Sequence, residues 1–290
     1  LPVSDEPIRV ANLIHDATVR LAFALGLQQR EARLEARVLA AYAWQVDPAW
    51  LIAHDTDPLT CTHIAAFQLL LSRRLEGEPV AYILGQREFF GLNFTVTPDV
   101  LIPRPETETL VEAALERIPR ESLWRILDLG TGSGAVAISL ARHRPLTEVV
   151  AVEASAAALA VAQANARRLG VSNLRCLASD WYAALGVRKF DMIVANPPYV
   201  EADDPHLCQG DVRFEPPSAL AAGPTGLDDL SIIIAAAPAH LTPGGWLLVE
   251  HGWNQGAACR ALFEAQGFSE VRILRDLAGQ ERVTLGRHPG

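Results

Sequence analysis

The chain has 290 residues, enough for two domains, and half of them are hydrophobic while a fifth are charged, which excludes wholesale disorder and allows a sizeable core. Lys and Arg number 25 against 34 Asp and Glu, a formal net charge of −9. Neither residues 1–80 (10 acids, 7 bases) nor residues 81–290 (24 acids, 18 bases) form a basic portion, so a surface built to hold polyanionic nucleic acid is disfavoured and no direct nucleic-acid binding is expected.

Residues 8–26, 29–46 and 60–76 read as helices. Leu34, Val38, Leu39 and Tyr42 recur at three- and four-residue steps in the second, and Ile64, Phe67, Leu71 and Leu75 do so in the third. Gly26 and Gly77 stand where C-terminal caps belong. No strand-like alternation precedes residue 80, so residues 1–84 are expected to form a small all-helical domain that recognises the substrate. Phe89, Phe90, Phe94 and Val96, interrupted by Gly91 and Asn93, predict a β-hairpin, and Pro103 and Pro105 forbid a regular helix or central strand. Residues 85–105 therefore read as a hairpin linker. A helix is expected from Glu106 to Arg117, opening a second domain over 106–290.

Short apolar runs then alternate with helical patterns. Strands are expected at 125–129, 148–152, 174–178, 190–195, 245–250, 269–275 and 281–286, with helices at 134–143, 156–169, 227–240 and 254–266. Wholly apolar strands spaced by helices predict an α/β fold, a mostly parallel seven-stranded sheet covered on both faces. The last two strands are separated only by Asp276 to Gln280, which predicts an antiparallel pair.

Chemistry-bearing motifs fall at the ends of these strands. Asp128-Leu129-Gly130-Thr131-Gly132-Ser133-Gly134 joins the first strand to a helix. Its glycines allow a tight turn and close approach of a ligand to backbone N–H groups, a feature shared by nicotinamide and S-adenosylmethionine sites. Glu153 ends the second strand, where an acid can accept hydrogen bonds from both ribose hydroxyls; a solvated strand-end charge is the alternative. Asp180 and Trp181 end the third. The Trp181 ring could cover an adenine, or simply belong to the core.

Asn196-Pro197-Pro198-Tyr199 follows the fourth strand. A planar NH2 group, on an amide or an adenine, is a poor nucleophile because its lone pair is delocalised. The Asn196 side-chain oxygen and a carbonyl at Pro197 could hold both N–H groups and turn the lone pair toward an incoming methyl. The prolines stiffen the loop beforehand, and Tyr199 could pack on the planar group. An ordinary proline turn is the plain alternative.

Together DLGTGSG, Glu153, Asp180-Trp181 and NPPY resemble the class I (Rossmann-like) S-adenosylmethionine-dependent methyltransferases acting on nitrogen. PVAYILGQREFFGLNFTVTPDVLIPRPETE (79–108), FEPPSAL (214–220), GLDDL (226–230) and LLVEHGWNQG (247–256) narrow the resemblance to the HemK/PrmC family over residues 8 to 287. That family methylates the side-chain amide (N5) of the GGQ glutamine in class I peptide chain release factors, modulating translation termination. The resemblance implies S-adenosyl-L-methionine as cofactor and S-adenosyl-L-homocysteine as product. It implies that Gly130 to Gly134 wrap the methionine part with Asp128 near its amino group. Glu153 would hold the ribose, Trp181 would border the adenine and Asn196 to Tyr199 would grip the glutamine. Glu153 departs from the more usual Asp. Rival readings are a ribosomal-protein glutamine methyltransferase, an adenine-N6 methyltransferase and an inactive binding module.

The remaining features exclude more than they assign. Cys61, Cys176, Cys208 and Cys259 make no CxxC pair and the eight histidines make no HxH or HxxxH pair, so no metal is expected. No apolar run reaches the roughly 18 residues of a membrane helix. The opening LPVSDEP lacks the basic and apolar regions of a signal peptide, and a cytoplasmic monomer is expected. His251 is expected to be structural. Arg104 and Glu106 are candidates for an ion-pair network under the rim of the site.

Overall fold

A computed structural model describes residues 7–289. Residues 1–6, on which the signal-peptide expectation largely rests, and Gly290 lie outside the described residues. The chain divides into two compact units: residues up to Gly85 joined by Cys208–Phe214, and Gln86–Leu207 joined by Glu215 onward.

The first unit is helical: α1 Val10–Leu25, α2 Gln29–Trp44, α3 Trp50–Ala53, α4 Cys61–Leu75 and α5 Val80–Leu84. Gly26 ends α1 in the left-handed conformation. The Thr60 hydroxyl accepts the His63 N–H at 3.2 Å and caps α4. Leu13, Ala17 and Leu21 of α1 pack with Ala32, Ala36, Leu39 and Ala40 of α2 and with Phe67 and Leu71 of α4. The face expected for α2 is thereby corrected: Leu34 is 63% exposed and Tyr42 also faces out, while small alanines face the neighbouring helices. Alanines let helices approach closely, and a reading by large apolar residues overlooks them. Arg74 is buried, its guanidinium on Glu35 at 2.7 and 3.0 Å and on Asp211 at 2.7 Å. Cys208–Phe214 thus belongs with the helices.

The second unit opens with the hairpin β1 Gln86–Phe89 and β2 Leu92–Thr95, turned at Phe90 and Gly91, both with positive φ. Phe89 and Phe94 are fully buried in the core on one side of the main sheet. The segment expected as a linker therefore packs as part of this unit. A single 3-10 turn at Pro105–Thr107 leads into α6 Glu108–Arg117. There follow β3 Arg125–Leu129, α7 Ala135–His143, β4 Glu148–Glu153, α8 Ala156–Arg168, β5 Leu174–Ala178, β6 Phe190–Ala195, α9 Asp228–His240, β7 Leu241–Glu250, α10 Gly256–Ala265, β8 Ser269–Arg275 and β9 Glu281–Arg287.

The sheet order is β5-β4-β3-β6-β7-β9-β8, with β9 antiparallel to both neighbours, as expected of the class I methyltransferase fold. Alternate residues of β3 feed two cores. Ile126 joins α6 and α7 on one face, while Leu127 and Leu129 join Ile233 of α9 and Phe263 of α10 on the other. Pairing in parallel puts the ends of β3, β4, β5, β6 and β7 along one edge, where α/β sheets bind ligands. No described helix is long and apolar enough to cross a membrane.

Candidate active site

A cavity of about 290 Å³ opens at that edge. Asp128, Gly130, Thr131, Gly132 and Ser133 line it from the turn after β3, Glu153 from β4, Asp180 and Trp181 from β5, and Asn196 and Pro198 from β6. Gly134, Pro197 and Tyr199 are not among its lining residues, although Pro197 stands in the chain between Asn196 and Pro198, which are.

The turn after β3 is pinned by Gly130 and Thr131, whose N–H groups both reach the Val152 carbonyl at 3.0 Å. Gly130 has φ +68, and a Cβ there would meet the Trp181 ring at 3.2 Å. Gly134 has φ +85 at the start of α7, where a Cβ would strike the Ile138 side chain at 2.8 Å. Its missing side chain leaves room for Ile138 and for Ala162 of α8.

Two carboxyls face the glycine turn. Asp128 is buried and accepts the Thr131 hydroxyl at 2.6 Å. Burial pushes it up to about 7, against the Thr131 hydrogen bond. Glu153 accepts the N–H of Gly132 at 2.9 Å on one oxygen and of Ser155 at 3.0 Å on the other. A carboxylate has about four acceptor positions, so each oxygen keeps capacity for a ligand hydroxyl.

Trp181 has φ +41, a sparsely populated conformation for a bulky residue. Beside it stands Asp229, in the first turn of α9, a cavity residue whose carboxyl burial pushes up while the Trp181 indole opposes the rise. Asp229 did not stand out as a site residue in the sequence, although it lies in the GLDDL run.

The loop after β6 is held from several sides. Tyr199 and Val200 donate their N–H groups to the Leu220 carbonyl, at 3.2 and 2.9 Å, and Gln255 donates to the Tyr199 carbonyl at 3.0 Å. Asn196 donates its Nδ2 to the Thr107 hydroxyl at 3.2 Å. The Tyr199 hydroxyl donates to Oε1 of Glu250 at 3.3 Å, so its polar end is tied into the protein interior. Burial pushes the Tyr199 phenol up and pushes Glu250, 1% exposed at the end of β7, up to about 7. The neighbouring His251 is wholly buried, with its ring nitrogens 2.9 Å from the Thr284 hydroxyl and 2.9 Å from the Gly252 carbonyl, a structural placement.

Arg104 lines the cavity and pairs with Glu215, a buried carboxyl that also accepts the Ile102 N–H at 3.1 Å. The ion pair under the rim is therefore Arg104 with Glu215. Thr107, Glu215, Asp229 and Glu250 are the site residues that sequence reasoning left unassigned. Their signal was position alone, inside PRPETE, FEPPSAL and GLDDL and at the end of β7.

Residues 12–85 match the PrmC N-terminal domain model and residues 107–209 the Methyltransferase small domain model. A release factor glutamine methyltransferase of Bordetella pertussis is 54% identical over 255 residues, covering 88% of this chain and 94% of its own. That of Escherichia coli is 46% identical over 263 residues, covering 90% and 95%. The crystal structure of a methyltransferase from Pyrococcus furiosus superposes with a TM-score of 0.53 at 20% identity, over 76% of this chain and 98% of that one, a likeness of fold alone.

Proposed function

Because the chain belongs to the release factor glutamine methyltransferase family, we propose that it methylates the side-chain amide nitrogen of the GGQ glutamine in class I peptide chain release factors, with S-adenosyl-L-methionine as the cofactor. The observation that carries this reading is the meeting, in one cavity, of the glycine turn after β3 with Asn196 and Pro198 after β6.

The cavity walls suit that cofactor. The missing side chain at Gly130 makes room for the outer edge of the Trp181 indole, a ring that can border an adenine. Asp128 complements a cationic amino group, and Glu153 retains acceptor capacity for ribose hydroxyls. Bound there, S-adenosyl-L-methionine supplies a methyl group on a sulfonium, already joined to a good leaving group. No covalent attachment to the protein is needed.

The protein's share is positioning and charge placement. Asn196 Oδ1 and the Pro197 carbonyl accept the two N–H groups of the substrate amide. They favour positive charge gathering on its nitrogen and aim its lone pair. The loop enters the reaction already stiff, because Pro197 and Pro198 fix their φ angles and Leu220 and Gln255 hold the backbone of Tyr199. The proton leaves to water after transfer, when the nitrogen has become strongly acidic. We assign the helical unit to contacts with the body of the factor, which raise the local concentration of the GGQ loop.

The test is mass spectrometry after reaction with purified release factor, a variant factor carrying alanine at the GGQ glutamine, ribosomal protein and DNA. One added methyl on the wild-type factor and none on the variant is expected. Methylation of ribosomal protein or DNA alone would move the substrate elsewhere and leave the methyltransferase chemistry standing.

A further inference from the structure

Two stretches of chain that are far apart in sequence wall the cavity. The glycine turn, with Ser133, supplies one wall; the segment that leaves β2, with Asp99, Leu101 and Arg104, supplies another. Among the described strands β2 pairs with β1 alone, in a sheet separate from the one that carries the glycine turn. A ligand held between two such walls is gripped well only if their spacing is set before it arrives.

Asn165 of α8 joins them, and it is wholly buried. Its Oδ1 accepts the Thr95 N–H at 2.9 Å. Its Nδ2 donates to the Thr95 carbonyl and to the Ser133 carbonyl, each at 2.9 Å. The Thr95 N–H fixes which end of the amide is oxygen, and the two carbonyls take both protons of the NH2. Asn165 thus serves Thr95 as a neighbouring strand would, and with its second proton grips the glycine turn at a residue that lines the cavity. The chain from Thr95 to Asp99 is short and held. Val96 is buried, and the Val100 N–H returns to the Thr97 carbonyl at 3.1 Å. A shift at Thr95 is therefore carried to the wall. Arg168, three residues on, bonds the Asn93 carbonyl and, at 3.2 Å, Asn165 Oδ1, so it holds the hairpin through bonds that do not include Ser133.

We propose that Asn165 is a positioning residue that sets the spacing of the two walls, and with it the grip on the cofactor, through the backbones of Ser133 and Thr95. The proposal rests on the S-adenosyl-L-methionine reading of the cavity. The loop after β6 is held by other partners, Leu220 and Gln255, so loss of Asn165 acts on cofactor affinity and spares the methyl-transfer step. It also gives a use to an asparagine inside a helix, where a short amide side chain competes with the helical backbone and is disfavoured.

The test uses the full chain, below the thermal transition of each variant. Asn165→Ala removes all three bonds. Asn165→Asp keeps the shape and the acceptor for Thr95 but turns an oxygen toward the two carbonyls. Both raise the Kd for S-adenosylhomocysteine and the KM for S-adenosyl-L-methionine roughly tenfold, while kcat at saturating cofactor stays within about threefold. Arg168→Leu is the control: it loosens the hairpin, lowers the thermal transition and leaves that Kd within about twofold. A second measurement needs no ligand. In Asn165→Ala, amide exchange quickens roughly tenfold at both Val100 and Gly134, whose N–H is bonded to the Thr131 carbonyl at 2.8 Å; in Arg168→Leu it does so at neither. An unchanged Kd in folded Asn165→Ala, a Kd raised as far in Arg168→Leu, or faster exchange at one wall alone would overturn the proposal. Should both Asn165 variants fail to fold, the wild type decides. S-adenosylhomocysteine slows exchange of the Thr95 amide severalfold, although Thr95 is not among the cavity residues, and an unchanged rate there overturns the proposal. If the wild type binds no S-adenosylhomocysteine, the cofactor reading fails on its own, and the ligand-free exchange comparison still decides whether Asn165 couples the walls.

Discussion

The indole of Trp181 rests on the bare Cα of Gly130, where a Cβ would lie 3.2 Å from the ring, and both residues hold positive φ. The strained position is Trp181, and its place depends on the missing side chain of Gly130. Gly130→Ala is expected to cost about 1–3 kcal/mol through the left-handed backbone alone, and to push the Trp181 ring from its place. Calorimetry with S-adenosylhomocysteine and a thermal melt check this; wild-type values in both would refute it.

Asn196→Ala removes an acceptor from the reacting nitrogen and leaves the glycine turn intact. Turnover should fall roughly 10²–10³-fold with a much smaller change in cofactor affinity. Single-turnover rates beside binding isotherms separate the two. Near-normal turnover would remove Asn196 from the reaction.

Asp128 gives the cofactor affinity a pH dependence. Burial raises its carboxyl from 3.8 to about 7, so the folded protein binds a proton that the unfolded chain has already lost between those values. Stability conferred by the neutral carboxyl is complete below about 3.8 and declines as pH rises to about 7. A cationic amino group reverses the preference, because it favours the ionised carboxylate. Affinity for S-adenosylhomocysteine should therefore rise with pH up to about 7 and level off above it. Asp128→Asn should flatten that rise. Titration calorimetry at several pH values reads the slope in both proteins.

Arg74 is the buried charge of the helical unit, 3% exposed and shared between Glu35 and Asp211. Arg74→Met leaves the Glu35 carboxylate enclosed without its partner, at a cost of about 3 kcal/mol. It also frees residues 208–214 from their anchor. A lower calorimetric transition, with faster amide exchange over 208–214, is the expected pair of results. Exchange unchanged in that segment would show that Arg213, bonded to the Glu76 carbonyl at 2.8 Å, suffices to hold it.

Strands such as RILDL and FDMIVA could be bounded from the sequence because burial on both faces demands uninterrupted apolar runs. The short helices α3 and α5 could not, since four or five residues carry no periodicity, and Gly77 and Pro79 mask the second. Strand β7 starts at Leu241, ahead of Pro243 and Gly244, because a register shift against β6 absorbs the irregularity. At the cavity, Asp128, Gly130 to Ser133, Asn196 and Pro198 could be picked out from the sequence because each motif is local, while Gly134, Pro197 and Tyr199 of the same motifs do not line it. Thr107 stands 89 positions from Asn196, and Tyr199 stands 51 from Glu250. Only the closing of the sheet brings such pairs together, and neither partner has an unusual composition around it.

Arg74 and Asp211 are 137 positions apart, and this separation has a counterpart in time. A ribosome adding about 5–20 residues per second makes Asp211 roughly 7–27 seconds after Arg74. Through that interval the nascent helices hold the guanidinium with Glu35 as its one carboxylate and with the Gly77 and Glu78 carbonyls. The first unit to emerge is thus among the later ones to be finished, waiting on a segment encoded beyond the catalytic loop. Synonymous codons that slow translation between positions 86 and 207 would lengthen the period in which the growing chain carries an incompletely satisfied cation, open to proteases and chaperones.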